Sequence, residues 1–239
     1  MSRVALVTGA GTGLGAALAA ALARDGFSLA VHYRSSAAGA ERTCAAIRSA
    51  GGVAEAFGGD LAGQAGAAAV AQAVAGRFGA VDLLVNNAGV YRDRPGIELT
   101  EAEWFEGLNS TVTQTFFTTQ ACLTLLRAGA GKRIVNVGDS SADRPGARDL
   151  AWSYHVGKTG VWMLTRSYAA ALARDGIAVN MVSPGLLETS VGDIAAERVP
   201  AGRFGTFDDV YGAVRYLALE APAYLTGSNL VVSGGWNLR

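Results

Sequence analysis

The sequence predicts an α/β fold: a doubly wound parallel sheet of about seven strands with helices on both faces. Three observations lead there. Apolar runs of strand length alternate with longer segments of helical period from one end of the chain to the other. The first of those runs, residues 4–7, is apolar throughout, as a strand buried on both faces is. A glycine-rich turn at residues 9–15 follows the first run directly. Glycine and alanine are abundant but spread through periodic segments, and neither a linker nor an internal repeat divides the chain. The expected organisation is one domain over residues 1–239.

Residues 4–7 are a short apolar run ending in Thr8-Gly9, the first buried strand. Leu14, Leu18, Ala21 and Leu22 then share one helical face, and that helix ends near Asp25-Gly26. Residues 27–33 form a second strand, and Gly51-Gly52 stops a helix over 36–50. A third strand over 53–57, an Ala/Gly-rich helix over 63–78 and a fourth strand over 81–86 follow. Residues 100–128 read as one long helix or a broken pair. After a fifth strand at 133–137, the helix over 153–174 carries Val161, Leu164, Tyr168 and Leu172 on its apolar face. A sixth strand spans 177–182. Thr206 opens another helix with Asp209 three residues later, a relative of the capping box. Residues 230–232 are the last strand. Right-handed crossovers make such a sheet doubly wound, with ligands bound at the carboxyl ends of its strands.

With 239 residues, 50% of them hydrophobic, the chain can build a large single core. Its zero formal net charge points away from nucleic-acid and membrane-surface partners. No apolar run reaches the length of a membrane span. The opening run is too short, and too soon interrupted by glycine, for a signal peptide. Cys44 and Cys122 match no metal or disulfide spacing; they read as ordinary thiols in a reducing cytoplasm, and no metal site is expected.

Thr8-Gly9-Ala10-Gly11-Thr12-Gly13-Leu14-Gly15 joins the first strand to the first helix. Glycines let a backbone turn tightly against a pyrophosphate, and the helix N-terminus offers free N–H groups. The spacing departs from G-x-G-x-x-G, since Leu14 stands where the third glycine would be. Sites for an unphosphorylated ribose place an acid near the end of the second strand. Here that place reads His32-Tyr33-Arg34-Ser35-Ser36. Arg34 with flanking hydroxyls suits a 2′-phosphate, which a guanidinium grips bidentately, so NADP is expected rather than NAD.

Tyr154 and Lys158, four residues apart, share one helical face. A fixed ammonium beside a phenol favours phenolate and makes the Tyr a better proton donor and acceptor. A ketone or imine that accepts hydride needs such a proton. Only Lys132 and Lys158 among the 20 basic residues are lysines. A chain that uses Arg nearly everywhere keeps Lys where a compact charge is wanted.

These stretches together resemble the short-chain dehydrogenase/reductase family, and the resemblance covers nearly the whole chain. The Thr-Gly-x-x-x-Gly-x-Gly pattern stands as Thr8, Gly9, Gly13 and Gly15. Asp60-Leu61 is similar to the family's adenine-contacting pair, and Asn86-Asn87-Ala88-Gly89 to its motif after the fourth strand. Asn109 falls where the family's catalytic Asn lies, and Tyr154 and Lys158 match its catalytic pair. Asn180 and Pro184-Gly185-Leu186-Leu187-Glu188-Thr189 match the segment that lines the nicotinamide, with Thr189 at its carboxamide. Arg203-Phe204-Gly205 and Tyr224-Leu225-Thr226-Gly227 match late structural motifs.

The resemblance implies a Rossmann fold that holds a dinucleotide through Gly9, Thr12, Gly13, Leu14, Tyr33, Arg34, Ser35, Asp60, Leu61, Asn87, Ala88, Gly89, Tyr154, Lys158, Pro184, Gly185, Leu187 and Thr189. It implies hydride transfer to a carbon while Tyr154 protonates the attached heteroatom. Lys158 would hold the ribose hydroxyls and lower the Tyr pKa, and Asn109 would position a water relaying protons to Lys158. It further implies a homotetramer, or a homodimer, with the helices beginning at Thr100 and Ser153 at an interface.

One position departs from the family. Its usual third catalytic member is a Ser just past the fifth strand. Counting forward through Ile134-Val135-Asn136-Val137-Gly138 puts Asp139 there; counting back from Tyr154 puts Ser141 there. Core packing fixes strand register while loops absorb insertions, which favours Asp139. An Asp there resembles the pteridine reductases of the same family, as does His32-Tyr33-Arg34-Ser35. A buried carboxyl can stay protonated and donate, or pair with a substrate amine. The segment over 189–203 is shorter than in acyl-carrier-protein reductases, which implies a differently shaped substrate lid. The expected function is an NADPH-dependent reductase of a small carbonyl or conjugated C=N substrate, pterin-type or 3-oxoacyl-type. The alternative is a catalytically idle NADP(H)-binding sensor on the same scaffold; intact Tyr154, Lys158 and Asn109 argue against it.

Overall fold

A computed structural model of the protein describes residues 3–144, 146–190 and 194–238. Its strands are β1 (Arg3–Val7), β2 (Phe27–Tyr33), β3 (Ala54–Gly58), β4 (Leu83–Asn86), β5 (Arg133–Val137), β6 (Ala178–Pro184) and β7 (Asn229–Val232). They form one 7-stranded sheet in the order β3-β2-β1-β4-β5-β6-β7, with every neighbouring pair parallel. The chain winds outward from β1 to β3, then returns to the other side of β1 and winds away. The reversal between β1 and β4 opens a crevice beyond their carboxyl ends.

The helices are α1 (Gly13–Arg24), α2 (Ala37–Ser49), α3 (Gln64–Phe78), α4 (Glu101–Leu108), α5 (Gln114–Ala128), α6 (Trp152–Leu172) and α7 (Phe207–Arg215). Side chains alternate across β1 and divide the core in two. Ala5 and Val7 pack with Leu18 and Leu22 of α1, Ile47 of α2 and Val214 of α7. Val4 and Leu6 pack on the other face with Val74 of α3, Leu126 of α5 and Leu172 of α6. α7 opens on the expected capping box between Thr206 and Asp209.

The expected strand boundary at residue 81 moves to Leu83, and Asp82 explains it. Its buried carboxylate accepts the Val4 N–H at 2.7 Å and those of Ala130 and Gly131 at 2.7 and 2.8 Å. Asp82 thus ties the start of β1 to the turn before β5. The α-helix expected to reach residue 174 ends at Leu172 and passes into a 3₁₀ turn, Ala173–Asp175.

The segment over 100–128 is neither one regular helix nor two separate ones. A π-helical turn, Asn109–Thr113, joins α4 to α5. Thr111 Oγ1 donates to the Gly107 carbonyl at 2.6 Å, competing with the backbone for that acceptor. This turn fits closely against α6. A Cβ built on Gly107 would lie 2.1 Å from Ser153 Oγ, and one on Gly157 would lie 1.9 Å from Thr111 Oγ1. Only glycine lets the two elements approach so closely.

Candidate active site

The crevice forms a groove of about 390 Å³. Gly9, Thr12, Gly13, Leu14, Tyr33, Arg34, Ser35, Asn87, Ala88 and Gly89 line it, which brings together most of the expected cofactor contacts. Gly9 has φ +63°, and a Cβ there would sit 2.9 Å from Ala88 Cβ. A Cβ on Gly15 would meet the Gly9 carbonyl oxygen at 2.4 Å and Asn87 Nδ2 at 2.5 Å. Close approach therefore falls on Gly15, which is why Leu14 is tolerated one position earlier. Thr12 makes no side-chain cap on α1, so first-turn N–H groups face the groove. Among the described residues Arg34 has no carboxylate partner, and its exposed guanidinium stands at the groove wall.

Side chains beneath the groove fix its floor. Thr8 Oγ1 accepts the N–H groups of Asn87 and Ala88 at 3.0 and 3.1 Å, and Asn87 Nδ2 donates to the Thr8 carbonyl at 2.9 Å. His32 is buried between two loops. The Gly9 N–H donates to its Nδ1 at 3.2 Å, and its Nε2 lies 3.0 Å from the Gly59 carbonyl. Nδ1 must accept, so the proton sits on Nε2 and the ring is neutral. Burial pushes its pKa down, in keeping with that state. Asn86 Nδ2 donates to Asn136 Oδ1 and Asn136 Nδ2 to Thr165 Oγ1, each at 2.8 Å, linking β4 and β5 to α6.

α6 presents the Tyr–Lys pair. Lys158 is buried, and its Nζ donates to the carbonyl of Val137, the last residue of β5, at 2.6 Å. Nζ lies 5.6 Å from the centre of the Tyr154 ring. A Cβ on Gly89 would be 3.5 Å from Nζ, so the ammonium adjoins the groove wall. Burial lowers the Lys158 pKa to about 8, and the Asp139 charge opposes that fall. Burial pushes the Tyr154 phenol up, and Asp139 and Tyr91 push it further. The expected lowering of the Tyr pKa by Lys158 is not realised in this arrangement: the ammonium stands over the ring and bonds a backbone carbonyl. Among the described residues the Tyr154 hydroxyl has no hydrogen-bond partner.

Asp139 follows β5 directly, with Gly138 N–H still bonded to the Val182 carbonyl at 2.8 Å. Its Oδ1 accepts the Ser141 N–H at 3.0 Å and the Ser141 hydroxyl. Asp139 and Ser141 are thus one hydrogen-bonded unit, and the Asp139 charge bears on both Tyr154 and Lys158. Asn109 begins the π turn, whose Thr111 meets α6 at Gly157.

Other expected contacts lie apart from the groove wall. Leu61 is buried in the core, which leaves only its backbone for a ligand. Asp60 accepts the Ala62 N–H at 2.9 Å. Pro184 ends β6, Gly185 N–H bonds the Val232 carbonyl at 2.9 Å, and Leu187 N–H bonds Ser190 Oγ at 2.9 Å. Thr189 is exposed, and of the expected lid, residues 191–193 lie outside the described residues. Ser36, Val90, Ser110 and Gln114 also line the groove and carried no sequence signal beyond their nearness to motif residues. A second, mostly apolar cavity of about 640 Å³ lies between Trp152, Val156 and Met163 of α6 and the loop carrying Ser141 and Arg148.

Among the described residues no helix is long and apolar enough to cross a membrane, and no cluster suited to a metal ion occurs. The family model described as enoyl-(acyl carrier protein) reductase matches residues 9–237. The chain is 35% identical to D-threitol dehydrogenase of Mycolicibacterium smegmatis, covering 99% of this chain and 94% of that one. It is 33% identical to a 3-oxoacyl-(acyl-carrier-protein) reductase of Staphylococcus aureus, covering 98% of each. A gluconate 5-dehydrogenase from Burkholderia cenocepacia, solved with NADP and tartrate, superposes with a TM-score of 0.90 at 32% identity, covering 99% of this chain and 96% of that one. By groove, Tyr–Lys helix and these likenesses alike, the chain belongs to the short-chain dehydrogenase/reductase family of oxidoreductases.

Proposed function

We propose that the protein is an NADPH-dependent reductase that delivers hydride to a small carbonyl or conjugated C=N substrate. The observation that supports this reading is Lys158 Nζ against the groove wall at Gly89, with the Tyr154 ring centre 5.6 Å from it. The glycine cradle, the first turn of α1 and the exposed Arg34 at the groove wall fit a dinucleotide bearing a 2′-phosphate. When bound, the nicotinamide supplies the hydride. Tyr154 gives the heteroatom its proton, so a carbonyl leaves as an alcohol. Lys158 holds the ribose hydroxyls, and Asn109 positions a water that relays protons to it. Asp139, steadied by Ser141, is the third member.

A carboxyl at that position suits a substrate with an amine or ring nitrogen, since it can pair with either. Dihydropterins and cyclic imines therefore belong beside 3-oxoacyl thioesters and polyol-derived ketones as candidates. Trp152, Val156 and Met163 of α6, with Phe105 of α4 and Phe116 of α5, are exposed. We read them as the face on which a second copy packs, as a homotetramer or homodimer. The buried free thiols Cys44 and Cys122 fit a reducing cytoplasm. NADPH consumption across these substrates is the test. Turnover of at least one, with NADPH preferred over NADH, supports the reading. Tight NADPH binding with no turnover of any would leave an idle sensor instead.

A further inference from the structure

His155 is absent from the roles above, yet it faces the same carboxylate. Its Nδ1 lies 3.9 Å from Asp139 Oδ1, and each side chain is 21% exposed. Nδ1 is buried and, among the described residues, has no hydrogen-bond partner. A buried ring nitrogen without a partner is costly unless a small movement supplies one, and the Asp139 carboxylate is the acceptor facing it. Three rings close the cluster: Tyr91 stands edge-on to Tyr154 at 5.3 Å and to His155 at 6.2 Å, and Tyr154 and His155 stand edge-on at 5.4 Å.

The Asp139 charge bears on both Tyr154 and Lys158, so where the carboxylate sits matters to the pair. A carboxylate beside a phenol raises the phenol's proton affinity and makes it a poorer acid. Ser141 already holds Oδ1 from one side through its N–H and hydroxyl. A second donor facing the same oxygen, His155 Nδ1, fixes the carboxylate further.

We propose that His155 is a positioning residue: its Nδ1–H donates to Asp139 and, with Ser141, holds that carboxylate in a set place beside Tyr154. This rests on the reading of Tyr154 as proton donor. The charged and titratable groups bearing on His155 are Asp139, from the loop after β5, and Arg148, from the loop before α6. Tyr91 and Tyr154 complete its surroundings. Burial outweighs Asp139 and lowers the His155 pKa, so the ring acts as a neutral donor at neutral pH. The arrangement is the reverse of His32, whose geometry puts the proton on Nε2.

Histidine-selective NMR of the full chain tests this, since the sequence has only 2 histidines. The expected spectrum has one ring protonated on Nε2, His32, and one protonated on Nδ1, His155. Asp139→Asn shifts only the second. On a substrate that the panel shows to be turned over, His155→Ala lowers kcat about tenfold or more with KM for NADPH unchanged. His155→Asn, which keeps an N–H donor at that reach, recovers most of the loss. An Nε2 proton on His155 with a spectrum indifferent to Asp139→Asn overturns the proposal, as does a folded His155→Ala with the parent kcat. Should His155→Ala fail to fold, the NMR of the parent and Asp139→Asn decides. An inactive Tyr154→Phe beside an unchanged His155→Ala removes only this inference; a fully active Tyr154→Phe removes the reading beneath it.

Discussion

The Lys158 ammonium stands 5.6 Å from the centre of the Tyr154 ring and gives a 2.6 Å hydrogen bond to the Val137 carbonyl. The strand end β5 thus holds the charge that α6 brings.

Lys158 itself makes a prediction about pH. Burial lowers its pKa from 10.5 to about 8, so the unfolded chain binds the proton more tightly than the folded one. The penalty is full below about pH 8 and is relieved as pH rises toward the unfolded value. Unfolding free energy should therefore rise by about 3 kcal/mol across that window. Lys158→Met should flatten this rise in denaturant titrations at a series of pH values. A parent curve no steeper than the variant's would contradict the burial argument. Lys158→Arg should abolish turnover, because a planar fork cannot replace a compact ammonium.

Arg34 governs cofactor choice. Arg34→Ala should weaken NADPH about ten- to hundredfold, the value of a charge-assisted pair, and leave NADH nearly untouched. Binding titrations with both nucleotides check this. Equal losses for the two would mean that Arg34 does not meet the 2′-phosphate.

Asp139 and Ser141 can be told apart. Asp139→Ala should cut turnover by orders of magnitude, while Ser141→Ala should cost only a few-fold by loosening the carboxylate it holds. Asp139→Ser should restore simple ketones but not substrates whose amine or ring nitrogen needs the carboxyl. The opposite ranking would return the third role to Ser141.

Asp82 is structural. Asp82→Ala strands three N–H groups, the buried one of Val4 and the partly buried ones of Ala130 and Gly131. A buried unmade hydrogen bond costs about 1–3 kcal/mol and the two partly buried ones add less, so a loss of about 2 kcal/mol or more is expected in chemical denaturation. A loss under about 1 kcal/mol would show that water reaches those groups.

What the sequence made legible was what local chemistry dictates. The strands are mostly apolar runs, β1 the clearest, and the Thr8–Gly15 turn needs glycine where backbones meet, as the contact at Gly9 with Ala88 demonstrates. Tyr154 and Lys158 were legible because helical spacing alone puts them on one face. Tertiary contacts hid the rest. The π turn arises where Thr111 bonds Gly107 and α6 closes on both, which no periodicity reports. Ser110 and Gln114 reach the groove because of that turn. The meeting of His155 with Asp139 depends on the path of the intervening loop, and the fixing of Lys158 by Val137 on the crossing of α6 over β5.

The most direct measurement is NADPH oxidation by the parent and by Tyr154→Phe on the best substrate of the panel, with NADPH affinity measured separately. The ring is kept and only the proton donor is lost. The account predicts turnover slower by about 10²–10⁴-fold with nucleotide affinity largely retained. Turnover at the parent rate in Tyr154→Phe would contradict it.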